Sequence, residues 1–275
     1  MPDYGAPHLI GEIDRQRVPE SAVALWWLGQ ASFALKAAGV VVYVDPYLQV
    51  SANRLSPPAF APEAVTNADL VVVTHDHLDH VDPNSLPGIA KASPNARFVA
   101  PSPIAGRVAE LVGGAERVVA ARSDQPLELE VRGAAVELLP VPAKHEEFDM
   151  VGEEYPHLGY SIRLNGVCVH HSGDTIPFEG QAERVKAHGV DVALLPINGR
   201  DFYRTRVGTI GNFDFREAGD YATMIGADVL VPMHYGMFRG NTVPPGYVVT
   251  YLHDFHPEQS VHVMGQFGKY LYLKG

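Results

Sequence analysis

Residues 70–80 read Leu-Val-Val-Val-Thr-His-Asp-His-Leu-Asp-His, so that three histidines and two aspartates follow directly on an apolar run. The run Leu70–Val73 predicts a buried strand, and the polar residues behind it predict a loop at the end of that strand. Neutral imidazole and ionised carboxylate are ligands of borderline divalent metals. The spacing lets His75 and His77 reach one ion while Asp79 and His80 turn towards a second. A solvated polar turn in a chain of 13 histidines is the alternative, and it accounts less well for this density of candidate ligands.

The size and charge of the chain set the next limits. Its 275 residues, 46% of them hydrophobic and 19% charged, suffice for a large core and predict a single domain over residues 1–275. With 21 basic against 32 acidic residues and a net charge of −11, the chain lacks the clustered cations of a nucleic-acid-binding face. Two divalent ions would add about four positive charges locally. A small anionic substrate is therefore still compatible with this acidic chain.

Cysteine usage and hydropathy predict a cytoplasmic protein. Cys168 is the only cysteine, so no intramolecular disulfide can form. The first residues show no basic patch followed by an apolar segment, and no stretch approaches the ~18 to 20 apolar residues of a membrane span. We therefore expect a soluble chain without a membrane span.

Short apolar runs punctuated by Gly and Pro predict strands in both halves of the chain. The predicted strands are Ala24–Leu28, Ser32–Lys36, Val40–Val44, Leu70–Thr74, Ala135–Val141, Leu158–Leu164, Val167–His171, Val192–Pro196, Val229–Met233 and Lys269–Leu273. Helix-like spacing occurs at Ile104–Val112, Gln181–His188 and Phe215–Ile225, with Asp214 placed to cap the last. Because strands and helices alternate throughout, we predict an α/β fold of two packed sheets with helices outside them.

Further candidate ligands follow other predicted strands. Asp174, in His-Ser-Gly-Asp-Thr at 171–175, is a carboxylate that can bridge two cations about 3.5 to 4 Å apart. His234 ends the apolar run from Val229 and is a candidate ligand of the second ion, and His145 follows the strand that ends at Val141. His171 either touches metal or supports a ligand carboxylate through a hydrogen bond. For the remaining histidines we expect surface or core roles; they are His8, His157, His170, His188, His253, His256 and His262.

Together, Thr-His-Asp-His-Leu-Asp-His at 74–80, His145, His-Ser-Gly-Asp-Thr at 171–175 and Pro-Met-His-Tyr-Gly at 232–236 resemble the metallo-β-lactamase superfamily. The resemblance implies a four-layer αββα sandwich with its ligands on loops at one edge of two facing sheets. Trp-Leu-Gly-Gln-Ala-Ser-Phe at 27–33, Val-Asp-Pro-Tyr at 44–47, Met-His-Tyr-Gly-Met-Phe at 233–238 and Gly-Gln-Phe-Gly-Lys-Tyr at 265–270 are similar to a narrower branch, the L-ascorbate-6-phosphate lactonase-like hydrolases.

The resemblance also implies roles for single residues. It assigns His75, His77 and His145 to the first ion, Asp79, His80 and His234 to the second, and Asp174 to a position between them. Asp45 matches an acidic residue that orients a metal-binding histidine without binding the metal itself. Branch members often carry His where Gln30 stands in this chain, and they vary at the position of His145.

Such a site predicts metal-assisted hydrolysis. Two Lewis acids lower the pKa of a bridging water from ~15.7 towards ~7, so that hydroxide is available as the nucleophile. One ion would also polarise the scissile carbonyl or phosphoryl oxygen. We predict catalytic roles for Asp79, which would hold the second ion, orient the water and be able to accept a proton, and for His171 as a supporting group.

An arginine-rich segment supplies candidates for substrate binding. Residues 198–206, Asn-Gly-Arg-Asp-Phe-Tyr-Arg-Thr-Arg, follow the predicted strand Val192–Pro196, which should end near the metals. Guanidinium groups bind phosphate or carboxylate through a planar fork of donors. The segment can therefore bind an anionic substrate, or its arginines can be ordinary surface residues. The predicted substrate-binding residues are Asn198, Arg200, Arg204, Arg206 and Asn241.

The leading functional prediction is a lactonase that opens a phosphorylated sugar lactone such as L-ascorbate 6-phosphate. A phosphodiesterase acting on a cyclic nucleotide or a phospholipid head group, and a non-catalytic metal-binding scaffold, are the alternatives. The donor set suits two ions of Mn²⁺, Zn²⁺ or Fe²⁺ per chain, and the resemblance favours manganese. Branch relatives that form homo-oligomers make such an assembly compatible with this chain.

Overall fold

The computed structural model describes residues 4–145 and 150–275. Most of the strands are short apolar runs, and several are buried over their full length. In chain order they are β1 Ala22–Gly29, β2 Ser32–Ala37, β3 Val40–Val44, β4 Leu70–Val72, β5 Arg97–Pro101, β6 Val118–Ala121, β7 Leu127–Val131, β8 Ala134–Pro142, β9 Leu158–Leu164, β10 Val167–His171, β11 Val192–Pro196, β12 Val229–Met233, β13 Ser260–Val261 and β14 Lys269–Leu273.

The helices lie between these strands along the chain. The α-helices are α1 Leu9–Arg15, α2 Ser85–Ala92, α3 Ala105–Val112, α4 Gln181–Lys186, α5 Phe202–Arg206, α6 Phe215–Ile225 and α7 Gly246–Phe255, and short 3₁₀ turns span Pro62–Ala64, Ser102–Ile104 and Ala115–Arg117. Within the described ranges, no helix has the length and hydropathy needed to cross a bilayer.

The strands form two sheets of seven strands each. One has the order β14-β1-β2-β3-β4-β5-β6, and the other has the order β13-β12-β11-β10-β9-β8-β7. Strands β3 to β6 pair in parallel, as do β10 to β13. All other neighbouring strands pair antiparallel. It follows that β1, β3, β4, β8, β10, β11 and β12 end at a common edge, where the antiparallel strand β9 begins.

Strand β1 shows how the layers are held together. All its residues are buried, and successive side chains point to opposite faces of the sheet. Leu25 and Trp27 belong to the core shared by the two sheets, whereas Trp26 and Leu28 belong to a second core that includes helices α1, α2 and α3. Full burial of a leucine such as Leu28 contributes about 1.5 to 3 kcal/mol. The sheets and their covering helices are therefore joined through one strand.

The predicted sandwich of two sheets with outer helices is confirmed. Six strands, β3, β9, β10, β11, β12 and β14, have the predicted bounds, and Asp214 caps α6 in a capping box with Glu217. The strand predicted over Leu70–Thr74 ends at Val72 because the Thr74 backbone N–H donates to Asp45 Oδ1 instead of to a neighbouring strand.

Several elements were not predicted from the sequence. They include α1, α2, α7 and the strands β5, β6 and β7. Helix α2 contains Pro87 and Gly88, both of which disfavour helix. It forms because Leu86 and Ile89 are buried against the first sheet, so packing overrides local propensity.

Candidate metal centre

The loop after β4 carries the densest set of candidate ligands. His75 and His80 are buried, while His77 and Asp79 are half-buried. The backbone N–H of His80 donates to the His77 carbonyl at 3.0 Å, which makes the loop a tight turn. Asp76 points away from the others and pairs with Arg107 of α3. Four of the five candidate side chains of this motif therefore remain available on the inner side of the loop.

The common sheet edge brings side chains from distant segments to this loop. Three groups have ligand atoms within 4.8 Å of one another: His75, His77 and His157; His75, His80 and Asp174; and Asp79, His80 and His234. Since His75 and His80 each belong to two groups, the three groups form one continuous cluster. The structure thus brings together side chains from the ends of β4, β10 and β12.

Asp174 lies at the middle of this cluster. Its Oδ2 is 3.1 Å from His234 Nε2, 3.6 Å from His80 Nε2 and 3.9 Å from His145 Nε2. Burial disfavours the charged form of this carboxyl, but His234 and His80 outweigh that effect and hold its pKa well below the usual range. The turn that delivers it contains Gly173, which has a φ of +62°. A Cβ at this position would lie 3.0 Å from the Leu158 carbonyl oxygen, so a side chain here would be strained.

Four buried polar atoms in the cluster test whether it suits a metal. Among the described residues, no hydrogen-bond partner is found for His75 Nε2, His80 Nε2, His145 Nδ1 and Asp174 Oδ1. An unpaired polar atom costs about 1 to 3 kcal/mol when it is buried. His75, His80 and Asp174 also have ligand atoms within 4.8 Å of one another, and buried nitrogen and carboxylate oxygen donors that converge in this way are the donor set of a divalent metal. The residues present fit such an ion.

Local charges set the protonation of the histidines in the metal-free chain. Burial, together with His80, holds the pKa of His75 well below its usual value. Burial likewise lowers the pKa of His145 to about 3. Burial also disfavours protonation of His80, but the surrounding carboxylates, Asp45 foremost, raise its pKa well above the usual value. His75 and His145 are therefore neutral at pH 7, and their lone pairs are available to a metal.

Asp45 supports the cluster from behind. It follows β3 and accepts hydrogen bonds from the Thr74 backbone N–H at 2.8 Å, the Thr74 hydroxyl at 2.7 Å and His80 Nδ1 at 2.7 Å. Because His80 donates through Nδ1, its Nε2 is the nitrogen that faces the cluster, and it would carry a lone pair once the ring loses its second proton as a metal binds. The position of Asp45 agrees with the orienting role that the sequence resemblance implies.

Gln30 occupies a buried position directly after β1. Its side-chain nitrogen lies 3.3 Å from Asp79 Oδ2 and 3.0 Å from His234 Nε2. Its backbone oxygen accepts from the His234 backbone N–H at 3.0 Å. Gln30, Asp45 and His234 all have positive φ, of +53°, +43° and +62°. Such strained backbone in non-glycine residues persists only where the surroundings enforce it, and it often occurs at functional sites.

Two further histidines lie close to His75 and His77, and either could complete this set of ligands. The ring of His145 lies 5.4 Å and 5.0 Å from those of His75 and His77, and the ring of His157 lies 4.9 Å and 5.9 Å from them. We expected a surface or core role for His157, but the structure places its ligand atom within 4.8 Å of those of His75 and His77. His157 precedes β9, and because β9 runs antiparallel to β10 its start lies at the edge where β10 ends. The expectation that ligands follow the ends of strands therefore does not include this histidine.

His171 does not face the cluster. Its Nε2 donates to the Ala31 carbonyl at 2.8 Å, and its Nδ1 accepts from the Gly173 backbone N–H at 3.1 Å. Both ring nitrogens are therefore used by the backbone, rather than by a metal or by a ligand carboxylate as the sequence suggested. This arrangement fixes the turn that presents Asp174, and a direct catalytic role for His171 is not supported.

A cavity of about 450 Å³ opens onto the cluster. His77, Asp79, His145, Asp174 and His234 form its floor, and its walls are Tyr47, Gln49, Ser51, Asn53, Leu78, Gly208, Thr209, Ile210, Phe238 and Asn241. Of the predicted substrate-binding residues, Asn241 lines the cavity. Asn198 lies behind it and donates to Asn241 Oδ1 at 2.8 Å.

The three predicted substrate-binding arginines lie outside the cavity lining. Arg200 makes a two-point hydrogen bond with the Glu217 carboxylate, 2.6 Å at each nitrogen. Arg204 pairs with Asp201, the N-cap of α5. Arg206 lies exposed at the end of that helix. Acidic partners therefore occupy Arg200 and Arg204, and anion binding by the three arginines stays a prediction.

Comparison with known proteins identifies relatives that match most of this chain. A family model described as "Beta-lactamase superfamily domain" matches residues 41–235. A UPF0173 metal-dependent hydrolase of Pyrococcus furiosus is 31% identical, covering 92% of this chain and 96% of that protein. A second, from Thermococcus kodakarensis, is 33% identical, covering 81% of this chain and 87% of that protein.

Solved structures extend the likeness to the fold. Igni18, a metallo hydrolase from the archaeon Ignicoccus hospitalis, matches with a TM-score of 0.73 at 23% identity, covering 92% of this chain and all of that one. An isothiocyanate hydrolase from Delia radicum gut bacteria matches with a TM-score of 0.70 at 13% identity, covering 91% of this chain and all of that one. At these identities the shared feature is the architecture.

Proposed function

Because this chain belongs to the metallo-β-lactamase superfamily and is similar over most of its length to metal-dependent hydrolases, we propose that it holds two divalent ions and opens an uncharged lactone or carboxylic ester. The observation that carries the proposal is the convergence of buried, unpaired ligand atoms of His75, His80 and Asp174 beneath a cavity. A scaffold without catalytic function would not need that opening.

The cluster divides naturally between two ions. Its two outer groups share no residue: His75 and His77 lie on one side, and Asp79, His80 and His234 lie on the other. Asp174 would lie between the ions, because it has a ligand atom within 4.8 Å of that of His75 on the first side and lies 3.1 Å from His234 Nε2 on the second. His145 or His157 would complete the first set. Nitrogen and oxygen donors without thiolate suit Mn²⁺ or Zn²⁺.

Bound ions would supply Lewis acidity, which makes water nucleophilic near neutral pH and polarises the carbonyl of a substrate. Asp79 is the carboxylate best placed to exchange a proton with the cavity, because its side chain is 23% exposed against 5% for Asp174. Gln30 holds Asp79 through a hydrogen bond, so the carboxylate is oriented before the substrate arrives. His80 is held by Asp45 in the same way.

The walls of the cavity favour a carbonyl substrate over a phosphodiester. Among the described lining residues there is no Lys or Arg, and the polar wall residues are the neutral Gln49, Ser51, Asn53, Thr209 and Asn241. The phosphate of L-ascorbate 6-phosphate, held away from the ions, would lose hydration in this cavity without gaining a cationic side chain, and a phosphodiester would meet positive charge at the bound ions but not on the described walls. The proposed activity is therefore that of a lactonase whose substrate is a neutral lactone and not a phosphorylated one.

The test compares three substrates on metal-stripped protein reloaded with Mn²⁺ or Zn²⁺. They are D-glucono-1,5-lactone, L-ascorbate 6-phosphate and bis(p-nitrophenyl) phosphate, and Asp79→Ala serves as the blank for spontaneous hydrolysis. We expect metal-dependent turnover of the neutral lactone, with at least tenfold lower kcat/KM for the phosphorylated lactone. Turnover of the diester alone would replace the proposal with a phosphodiesterase, and no metal-dependent turnover of any of the three would overturn it.

A further inference from the structure

A chain of three asparagines leads from the protein interior to the wall of the cavity. Asn212 Nδ2 donates to Asn198 Oδ1 at 3.2 Å, and Asn198 Nδ2 donates to Asn241 Oδ1 at 2.8 Å. Asn212 and Asn198 are fully buried, whereas Asn241 lines the cavity. Buried amides that are linked in this way have fixed orientations.

Arg204 determines the direction of this chain of hydrogen bonds. Its Nη1 lies 3.2 Å from an amide atom of Asn241. A guanidinium group can only donate, so this atom of Asn241 must be the oxygen. Asn198 must then present its nitrogen to the same oxygen. The orientation of each amide therefore follows from the fact that Arg204 can only donate.

The orientation leaves Nδ2 as the amide atom of Asn241 that is available to a ligand in the cavity that this residue lines. Its Oδ1 already accepts two hydrogen bonds, from Asn198 and from Arg204. Within the described ranges no residue accepts a hydrogen bond from Nδ2. An amide N–H₂ group held in this way is a fixed donor, and it binds a substrate oxygen at a low entropic cost.

We infer that Asn241 is a specificity-determining residue that donates a hydrogen bond to an oxygen of an uncharged substrate, and that Arg204 is a positioning residue that acts through Asn241. The inference rests on the proposed function. Arg204 is unsuited to bind an anion itself, because it pairs with Asp201 and its Nη1 donates to the Asn198 carbonyl at 2.9 Å. Its guanidinium is therefore already shared among protein acceptors.

The remaining wall residues define the ligand further. Hydroxyl and amide groups of Ser51, Asn53 and Thr209 can contact hydroxyl oxygens, while Tyr47 and Phe238, with ring centroids 6.0 Å apart, offer an apolar surface. The chemistry is that of a neutral, oxygen-rich ring compound with one apolar face. A hydroxylated lactone belongs to this class.

The experiment measures KM and kcat of the Mn²⁺-loaded full chain on D-glucono-1,5-lactone for Asn241→Leu, Arg204→Met and the double variant. The matched control is Arg184→Met, which removes another surface arginine paired with an aspartate, Asp124. We expect KM to rise about tenfold in each single variant with kcat nearly unchanged. The double variant should be no worse than Asn241→Leu, because Arg204 acts through Asn241. The control should match the parent.

Binding provides a readout that is independent of turnover. Calorimetric titration with D-glucono-1,5-lactam, an uncharged analogue that resists hydrolysis, should show about tenfold weaker binding for Asn241→Leu. If no lactone is hydrolysed but the lactam binds in this Asn241-dependent way, the proposed function fails and the inference stands. Additive effects of the two substitutions, KM values equal to that of the control, or lactam binding unaffected by Asn241→Leu would each overturn the inference.

Discussion

Oδ2 of Asp45 lies 2.7 Å from Nδ1 of His80, and both side chains are fully buried. The two residues lie beyond the ends of neighbouring strands of the first sheet, since Asp45 follows β3 and His80 lies in the loop after β4. The contact determines which nitrogen of His80 faces the cluster, because the nitrogen that donates to Asp45 cannot bind a metal. In the proposed two-ion site, the ligands of the second ion would therefore depend on a carboxylate that does not itself contact the ion.

Replacing Asp45 with Asn should weaken the second ion selectively. The amide is nearly isosteric but uncharged, so it no longer stabilises the required tautomer of His80. We expect the affinity for the second ion to fall about 10- to 100-fold, as is typical for groups that orient metal-binding histidines. Metal content after dialysis against a graded chelator series, measured by plasma mass spectrometry, should fall from two ions per chain towards one.

Asp76→Asn is the matched control for this substitution. Asp76 lies in the same loop, but it faces outwards and pairs with Arg107. Its metal content should equal that of the parent. Retention of two ions by Asp45→Asn over the whole chelator series would contradict the role assigned to Asp45.

His157→Asn should weaken the first ion. The ligand atom of His157 lies within 4.8 Å of those of His75 and His77. Loss of the imidazole removes a nitrogen donor from that side, and we expect at least about tenfold lower affinity for the first ion. Competitive titration of the metal-free protein with Mn²⁺, followed by electron paramagnetic resonance, distinguishes the tighter from the weaker site. His188→Asn is the control, because His188 lies at the far end of α4 and bonds to Ser161. An unchanged first-site affinity would leave His145 as the histidine that completes the set.

The sequence predicts this site well where a ligand follows a strand. His75, Asp174 and His234 each follow an apolar run, and the parallel strands β10, β11 and β12 bring Asp174 and His234 to one edge of the second sheet, next to the end of β4 in the first. His157 escapes this reasoning because it precedes an antiparallel strand, and only the pairing of β9 with β10 places its start at the same edge. Topology, which local sequence does not encode, supplies the missing information.

The surroundings of the arginine-rich segment could not be predicted for a different reason. Local sequence identifies Arg200 and Arg204 as potential anion ligands, but it does not reveal their partners. Glu217, which neutralises Arg200, lies 17 residues away in another helix. Arg204 contacts Asn241, which is 37 residues away. Whether an arginine is available to a ligand is decided by such long-range contacts, so the pattern of residue types could not settle it.

The acid sensitivity of the fold should depend on His170. Burial, followed by the neighbouring His188 and His171, lowers the pKa of His170 to about 3. The unfolded chain takes up a proton near pH 6.5, while the folded chain does not. Between pH 6.5 and about 3 this residue therefore lowers the free energy of unfolding as the pH falls, by about 1.4 kcal/mol per pH unit.

His170→Phe removes that titration, although it also removes a hydrogen bond to Ser161. The variant should be less stable at pH 7, but its unfolding free energy should change less between pH 6.5 and 5.5 than that of the parent, by about 1 kcal/mol. Urea titrations at the two pH values, at constant metal loading, measure this difference. His253→Gln is the control, because its side chain is 85% exposed. Equal slopes for His170→Phe and the parent would refute the assignment.

Gln30 should couple the second ion to the position of Asp79. Its side-chain nitrogen lies 3.3 Å from Asp79 Oδ2, and its Oε1 is buried without a partner among the described residues. Gln30→Met keeps the length of the side chain and the backbone hydrogen bond to His234, but it removes both polar atoms. Because Asp79 then loses its donor, we expect about tenfold weaker binding of the second ion and a similar fall in kcat. The thermal midpoint of the metal-free protein should fall slightly, since Asp79 and the buried His234 both lose a hydrogen-bond partner.

A double-mutant cycle separates positioning from simple packing at Gln30. If Gln30 acts through Asp79, then Gln30→Met should add little to the loss of second-ion affinity already caused by Asp79→Asn. Metal affinity is the appropriate readout because Asp79→Asn leaves too little activity for comparison. Additive losses in the two variants would mean that Gln30 supports the ion independently of Asp79, with its contact to His234 Nε2 as the other route. Non-additive losses would identify the hydrogen bond to Asp79 as the reason why a glutamine is held in a strained backbone conformation, with a φ of +53°, at the end of β1.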